Sequence, residues 1–140
     1  MKKLGLDLGT RTLGIAVSDA LGMMAHGVET FRFEEGQYKK AIVHVQTLIK
    51  THHITEIVLG LPKNMNGSIG ERGLETQAFG KRLEEATQTK VIYWDERLTT
   101  MQVERVLIAA DVSRSKRKKV VDKMAATVIL QSYLDSSRSF

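Results

Sequence analysis

The sequence predicts a mixed α/β fold, a five-stranded sheet of three antiparallel meander strands plus two parallel strands, with helices on both faces. Three observations predict it. Between residues 3 and 33 large apolar residues alternate with small or polar ones, the period of strands. From Tyr38 the period becomes that of an amphipathic helix. Strand and helix patterns then alternate to the end, which is the order that builds a parallel extension onto a meander.

The elements follow in order. Leu4, Leu6 and Leu8 alternate with Gly5, Asp7 and Gly9, predicting a strand over roughly 3–9 with the leucines on one face and Asp7 on the other. A tight turn, Gly9-Thr10-Arg11-Thr12, leads into a second strand over 12–19, whose Gly14, Ala16 and Ser18 share a small-residue face. Residues 27–33 are β-branched, aromatic and alternating, a third strand. Tyr38, Ala41, Ile42, Val45, Leu48 and Ile49 form a helical stripe. Glu56–Leu61 reads as a buried strand stopped by Pro62, the single proline. A polar loop, 63–70, precedes a helix from Glu71 to Ala86, and Val91–Trp94 is a short last strand. Thr99 with Gln102 fits a capping box opening a helix through Val106 and Leu107 to Ala110. A basic loop over 113–119 then leads into a final helix from Val120 to Leu134.

Bulk properties narrow the function. The 140 residues, 42% hydrophobic and 26% charged, fit one domain over 1–140 without internal repeat or linker. No apolar run approaches the roughly 18 residues of a membrane span. The start, Met1-Lys2-Lys3 with Asp7 close behind, lacks a signal-peptide core, so a cytoplasmic protein without membrane partners is expected. With no cysteine, disulfides, thiolate metal sites and a cysteine nucleophile are excluded. The net charge of +5 is local: Arg114, Lys116, Arg117, Lys118 and Lys119 supply it, and the remaining basic residues equal the 16 acidic ones. Such a run is what a polyanion, nucleic acid in particular, would meet. Arg11, Arg72 and Arg97 are further candidates for phosphate contacts, each with a surface ion pair as the plainer alternative.

Acids stand at three places where packing would not put them. Asp7 lies on the first strand with small neighbours, and a buried charge needs a partner or a metal. Asp95 and Glu96 close the last strand, where a crevice opens at the carboxyl ends of parallel strands. Asp122 opens the last helix, and its i+3, i+4 and i+7 neighbours are Ala125, Ala126 and Ile129, the face expected to lie on the sheet. If these acids converge, like charges about 5 Å apart repel by roughly 3 kcal/mol per pair at an effective dielectric near 20. They must take up protons or hold a cation. Hard oxygen donors favour Mg²⁺ or Mn²⁺, and two ions, bound with the substrate, suit phosphodiester hydrolysis. Carboxylates, divalent metal and a basic run point to a nuclease. Elsewhere, His52-His53 is expected to end a helix, Asp19 to serve a turn, and Trp94 to pack in the core.

Four blocks carry a resemblance: Gly-Leu-Asp-Leu-Gly-Thr-Arg-Thr at 5–12 with Gly14–Asp19; Leu59-Gly60-Leu61-Pro62 with Asn66-Gly67-Ser68; Asp95-Glu96-Arg97-Leu98-Thr99-Thr100; and Val121-Asp122-Lys123-Met124-Ala125-Ala126 with Ile129-Leu130-Gln131. In this order they resemble the YqgF (RuvX-like) family over residues 1–135. The resemblance implies a ribonuclease H-like fold related to RuvC-type resolvases. It implies a bacterial cytoplasmic nuclease acting on structured RNA, the 5′ end of pre-16S rRNA, in ribosome biogenesis. Asp7, Glu96 and Asp122 match the family's metal-binding catalytic acids, with Asp95 in reserve for the middle place. Asn66 stands where the family often has Asp, in a loop expected to touch substrate. RuvC-like enzymes carry an acid on an earlier strand end; here that strand ends Gly60-Leu61-Pro62, so the middle acid must come from 95–96. Two alternatives stand beside this reading: a Holliday junction resolvase on branched DNA, which would act as a dimer, and a non-catalytic RNA-binding or ribosome-assembly factor. A monomer or weak homodimer is expected. Asp7-Leu8-Gly9-Thr10 also resembles the phosphate hairpin of two-domain ATPases, but a single domain has no second jaw to close on a nucleotide.

Overall fold

Two faces of unequal side-chain size organise the sheet. The computed structural model describes residues 1–97 and 108–137, apart from the side chains of 118–123 and 137. Strands β1 (Lys2–Leu8), β2 (Thr12–Ser18) and β3 (Ala25–Arg32) form the meander. Helix α1 (Tyr38–His52), β4 (Ile54–Leu61), α2 (Glu71–Thr87), β5 (Lys90–Asp95) and α3 (Arg114–Ser137) follow. The strand order is β3-β2-β1-β4-β5, antiparallel within the meander and parallel from β1 through β4 to β5. The expected mixed five-stranded sheet is thus observed.

On one face Leu4, Leu6 and Leu8 join Leu13, Ile15, Ile57 and Leu59 beneath α1 and α2, which contribute Ala41, Ile42, Val45, Phe79 and Leu83. Each fully buried side chain of this size contributes about 1.5–3 kcal/mol. The opposite face is lined by Ala16, Ala25 and Val58, and α3 lies on it through Ala126, Ile129, Leu130 and Leu134. Small residues there let the helix come close. A Cβ on Gly5 would stand 2.6 Å from the Leu130 Cβ and 2.9 Å from the Ala126 carbonyl oxygen.

Local chemistry sets the element ends. Gly9 N–H donates to the Thr12 carbonyl (2.7 Å), closing the β1–β2 hairpin. His53 takes the left-handed conformation (φ 55°) and ends α1, its N–H donating to the Ile49 carbonyl, as expected of the His52-His53 pair. Asp19 Oδ1 accepts the Met23 N–H (2.8 Å) and shapes the β2–β3 turn. Trp94 packs edge-on to Tyr133, with its indole N–H donating to Ser132 Oγ (3.1 Å), so it is a packing residue.

The meander's third strand begins at Ala25, two residues before the expected start, because Ser18–Ala25 and Val17–His26 continue the ladder. A larger correction concerns the basic run, expected as a loop over 113–119. Helix α3 already begins at Arg114, and Arg117 N–H donates to the Ser113 carbonyl (2.8 Å). Lys and Arg are good helix formers, so charge density hid a helical start. The helix expected over 99–110 falls mainly outside the described residues. Among the described residues no helix is long and apolar enough to cross a membrane.

Candidate active site

Asp7 sits near the carboxyl end of β1, on the small-residue face, paired across the ladder with Gly14. Glu96 follows β5 directly. Its side chain reaches across β4 because Gly60 has none: a Cβ there would collide with Glu96 Oε1 and stand 2.5 Å from Ile129 Cδ1. The opening above β4 therefore brings acids from two non-adjacent strands together.

The Glu96 carboxyl lies beside that of Asp7, close enough for the two acids to act on each other. Two carboxylates this close disfavour joint ionisation unless a cation lies between them. Burial and then the neighbouring Asp7 charge push the Glu96 carboxyl up to about 9; the positive charge of Arg72 acts the other way. Arg72 is anchored by Nη2 to the Leu8 carbonyl (2.9 Å) and by Nη1 to Glu75 Oε2 (2.5 Å).

Asp95 faces elsewhere. It is the last residue of β5, whereas Glu96 begins the helical turn that follows, and Asp95 accepts from Arg97 Nη2 (2.8 Å), Nε (3.2 Å) and backbone N–H (3.0 Å). The hydrogen bonds from Arg97 hold the Asp95 carboxyl below its ordinary value. Of the two adjacent acids, Glu96 meets Asp7 and Asp95 meets Arg97.

Residue 122 approaches along α3. Leu130 lies over Gly5, and Ala126 lies 3.5 Å from where a Gly14 Cβ would stand, beside Asp7. The helix thus runs antiparallel to β1, and one turn before Ala126 its backbone at 122 reaches the carboxyl end of that strand. The side chain of Asp122 lies outside the described residues, as do those of Lys118 and Lys119. Among the described residues no group of three or more His, Asp or Glu side chains forms a cation site. The observed pair nevertheless fits a divalent ion: hard oxygen donors, partly withdrawn from water, with the Glu96 carboxyl pushed up by burial and by its acidic neighbour.

The other basic residues divide. Arg114 and Lys116 are exposed in the first turn of α3. Arg117 Nη1 donates to the Val112 carbonyl (2.7 Å). Arg11 is exposed and pairs with Glu35 (3.3 Å). Arg97 faces the 63–68 loop, its Nη1 donating to the carbonyls of Asn64 (3.3 Å) and Met65 (3.2 Å). Sequence reasoning missed the part Gly60 plays in admitting Glu96, although a glycine inside a buried strand signals close approach of another group.

A family model described as RuvX, Holliday junction resolvase, matches residues 1–136. The chain is 57% identical to a Bacillus subtilis protein over 136 residues, covering 97% of this chain and 99% of the relative. It is 56% identical to an Oceanobacillus iheyensis protein over 135 residues, covering 96% and 98% respectively. Both carry the name "Putative pre-16S rRNA nuclease". Among solved structures it resembles Thermus thermophilus RuvC in complex with a Holliday junction, at TM-score 0.63 and 12% identity over 99% of this chain and 95% of that one. It also resembles fowlpox virus resolvase bound to junction DNA, at TM-score 0.52 and 14% identity over 99% and 100%. These likenesses establish the ribonuclease H-like resolvase fold, and with the match across nearly its whole length the chain belongs to the RuvX family.

Proposed function

We propose that this protein is a metal-dependent nuclease that cleaves phosphodiester bonds in structured RNA, with the 5′ end of pre-16S rRNA as its substrate in the bacterial cytoplasm. The observation that carries this reading is the meeting of Asp7 and Glu96 at the carboxyl ends of β1 and β5, with Glu96 reaching over Gly60. The names of its relatives support the RNA substrate.

Asp7, Glu96 and Asp122 are assigned as the catalytic and metal-holding acids, the last from its place on α3. Asp95 is assigned a supporting role through Arg97. When bound, Mg²⁺ or Mn²⁺ supplies Lewis acidity and a more acidic water for attack on phosphorus. Glu96 would have to lose its proton to hold a cation, so cation binding there would release one. Arg72, anchored on the Leu8 carbonyl beside the carboxyl end of β1, is assigned a phosphate contact. Arg114 and Lys116, with Lys118 and Lys119 from the same run, supply positive charge for the flanking backbone.

The test is cleavage of purified pre-16S rRNA precursor with Mn²⁺ or Mg²⁺, with EDTA as control. Asp7→Asn is expected to abolish cleavage, a loss of at least about 10³-fold, with the circular dichroism spectrum unchanged. Cleavage by Asp7→Asn at the wild-type rate refutes the site. A second reading, resolution of four-way DNA junctions, is favoured by the description of the family. It requires two active sites on two strands, so symmetric junction cleavage by a dimer in solution would select it.

A further inference from the structure

We propose that Arg97 is a positioning residue: it clasps the 63–68 loop to the strand end that carries Glu96, and this, not a phosphate contact, is its role. The inference rests on the nuclease reading for its consequences, although the clasp itself does not.

Glu96 is bracketed by Asp95 and Arg97, and the side chains of those two residues bind each other. Arg97 Nη2 and Nε grip the Asp95 carboxylate, while the Arg97 backbone N–H donates to the same group. This closed ring spans the backbone on both sides of Glu96 and fixes the direction in which its side chain leaves, over Gly60 and towards Asp7.

The other edge of the guanidinium faces the loop. Nη1 donates to the carbonyls of Asn64 and Met65, and a Cβ on Gly67 would lie 3.7 Å from it. The loop is itself closed: Asn64 N–H donates to the Ser68 carbonyl (2.9 Å), and the Ser68 hydroxyl donates to Asn66 Oδ1 (2.6 Å). Arg97 therefore joins two rigid pieces, and its planar fork suits two sides at once where an ammonium would serve one. The Asp95 carboxylate occupies the bidentate edge that a phosphate would need. Met65, 89% exposed at the loop tip, and the neighbouring Asn66 are thereby held at a fixed distance from Glu96.

Limited trypsin digestion of the full-length native protein tests the clasp without reference to activity, reading the Lys63–Asn64 bond. Arg97→Ala is expected to speed cleavage there about 10-fold by raising the population of the open loop, with cleavage after Arg11 unchanged. Arg97→Lys should lie between. Asp95→Asn combined with Arg97→Ala should be no faster than Arg97→Ala alone, since both break one unit. In the RNA assay, Arg97→Ala should raise the Mn²⁺ concentration for half-maximal rate about 10-fold, the effect of losing an outer support of a metal ligand. The KM for RNA and its salt dependence should hold. Unchanged cleavage after Lys63 overturns the proposal. So does faster cleavage across the whole chain with a lowered melting temperature, which marks general fold support. A raised KM with a salt slope reduced by about one unit marks a phosphate contact instead. Should the wild-type protein cut no nucleic acid, the nuclease reading fails, and the trypsin result still decides the clasp.

Discussion

At Glu96, two adjacent requirements conflict, and the conflict predicts how stability varies with pH. Its carboxyl is raised to about 9 by burial and then by the charge of Asp7, whereas an unfolded Glu ionises near 4.3. Between those values the folded state holds a proton that the unfolded state has released. Stability must therefore fall as pH rises from about 5 to 9. In EDTA the melting temperature is expected to drop by roughly 10 °C between pH 6 and pH 9, given about 1.4 kcal/mol per pH unit and a few degrees per kcal/mol for a domain of this size. Glu96→Gln, which cannot ionise, should flatten the decline. Saturating Mn²⁺ should lift the curve most at pH 9, where the deprotonated pair binds it best. A melting temperature that climbs through this interval in EDTA contradicts a proton held by folded Glu96. The same pair marks how far the sequence could be read. Asp7 was legible from its alternation with leucines, but the choice between Asp95 and Glu96 was not. Two neighbouring acids where a strand passes into a helical turn differ in which way they face, and that depends on Gly60 leaving room and on Arg97 claiming Asp95.

The meeting of β1 and α3 is the element-level contact on which the site depends. Gly5 allows the helix to settle, and both atoms its Cβ would strike belong to groups that cannot swing away, the Leu130 Cβ and the Ala126 carbonyl. Gly5→Ala should cost about 1–3 kcal/mol in urea denaturation, the usual penalty for overpacking. It should also impair cleavage by lifting the helix that carries residue 122; an unaltered midpoint would mean that α3 is free to shift. Most elements were legible because their periods are clear: the leucine and small-residue faces of β1 and β2, and the stripe of α1. The start of α3 was not legible. Arg114 to Lys119 has no apolar period to mark a helix, and only the sheet beneath Ala126 and Leu130 determines how far back the helix extends. The Arg97 clasp was hidden for another reason, since its acceptors lie 32 and 33 residues away.

Over the whole molecule, the helical placement of the basic run changes what charge removal should do. Positive side chains in the first turn oppose the helix macrodipole, each by roughly 0.3–1 kcal/mol when exposed. Arg114 and Lys116 are exposed there, and α3 has no acid in its first turn to compensate. This run also holds the entire excess of basic over acidic residues. Stability and nucleic-acid binding thus pull in opposite directions on the same side chains. Arg117 is best left alone, because its guanidinium supports the Val112 carbonyl. Replacing Arg114, Lys116, Lys118 and Lys119 together with Gln should leave the melting temperature unchanged or raise it. Affinity for RNA should fall across all sequences, and the slope of log K against log salt should lessen by about 3, the release expected for four single-strand phosphate contacts. A surface that serves only solubility would show the first effect without the second. Loss of both stability and binding would mean that the charges hold the helix in place, leaving the phosphate path to Arg72 and the open end of the sheet.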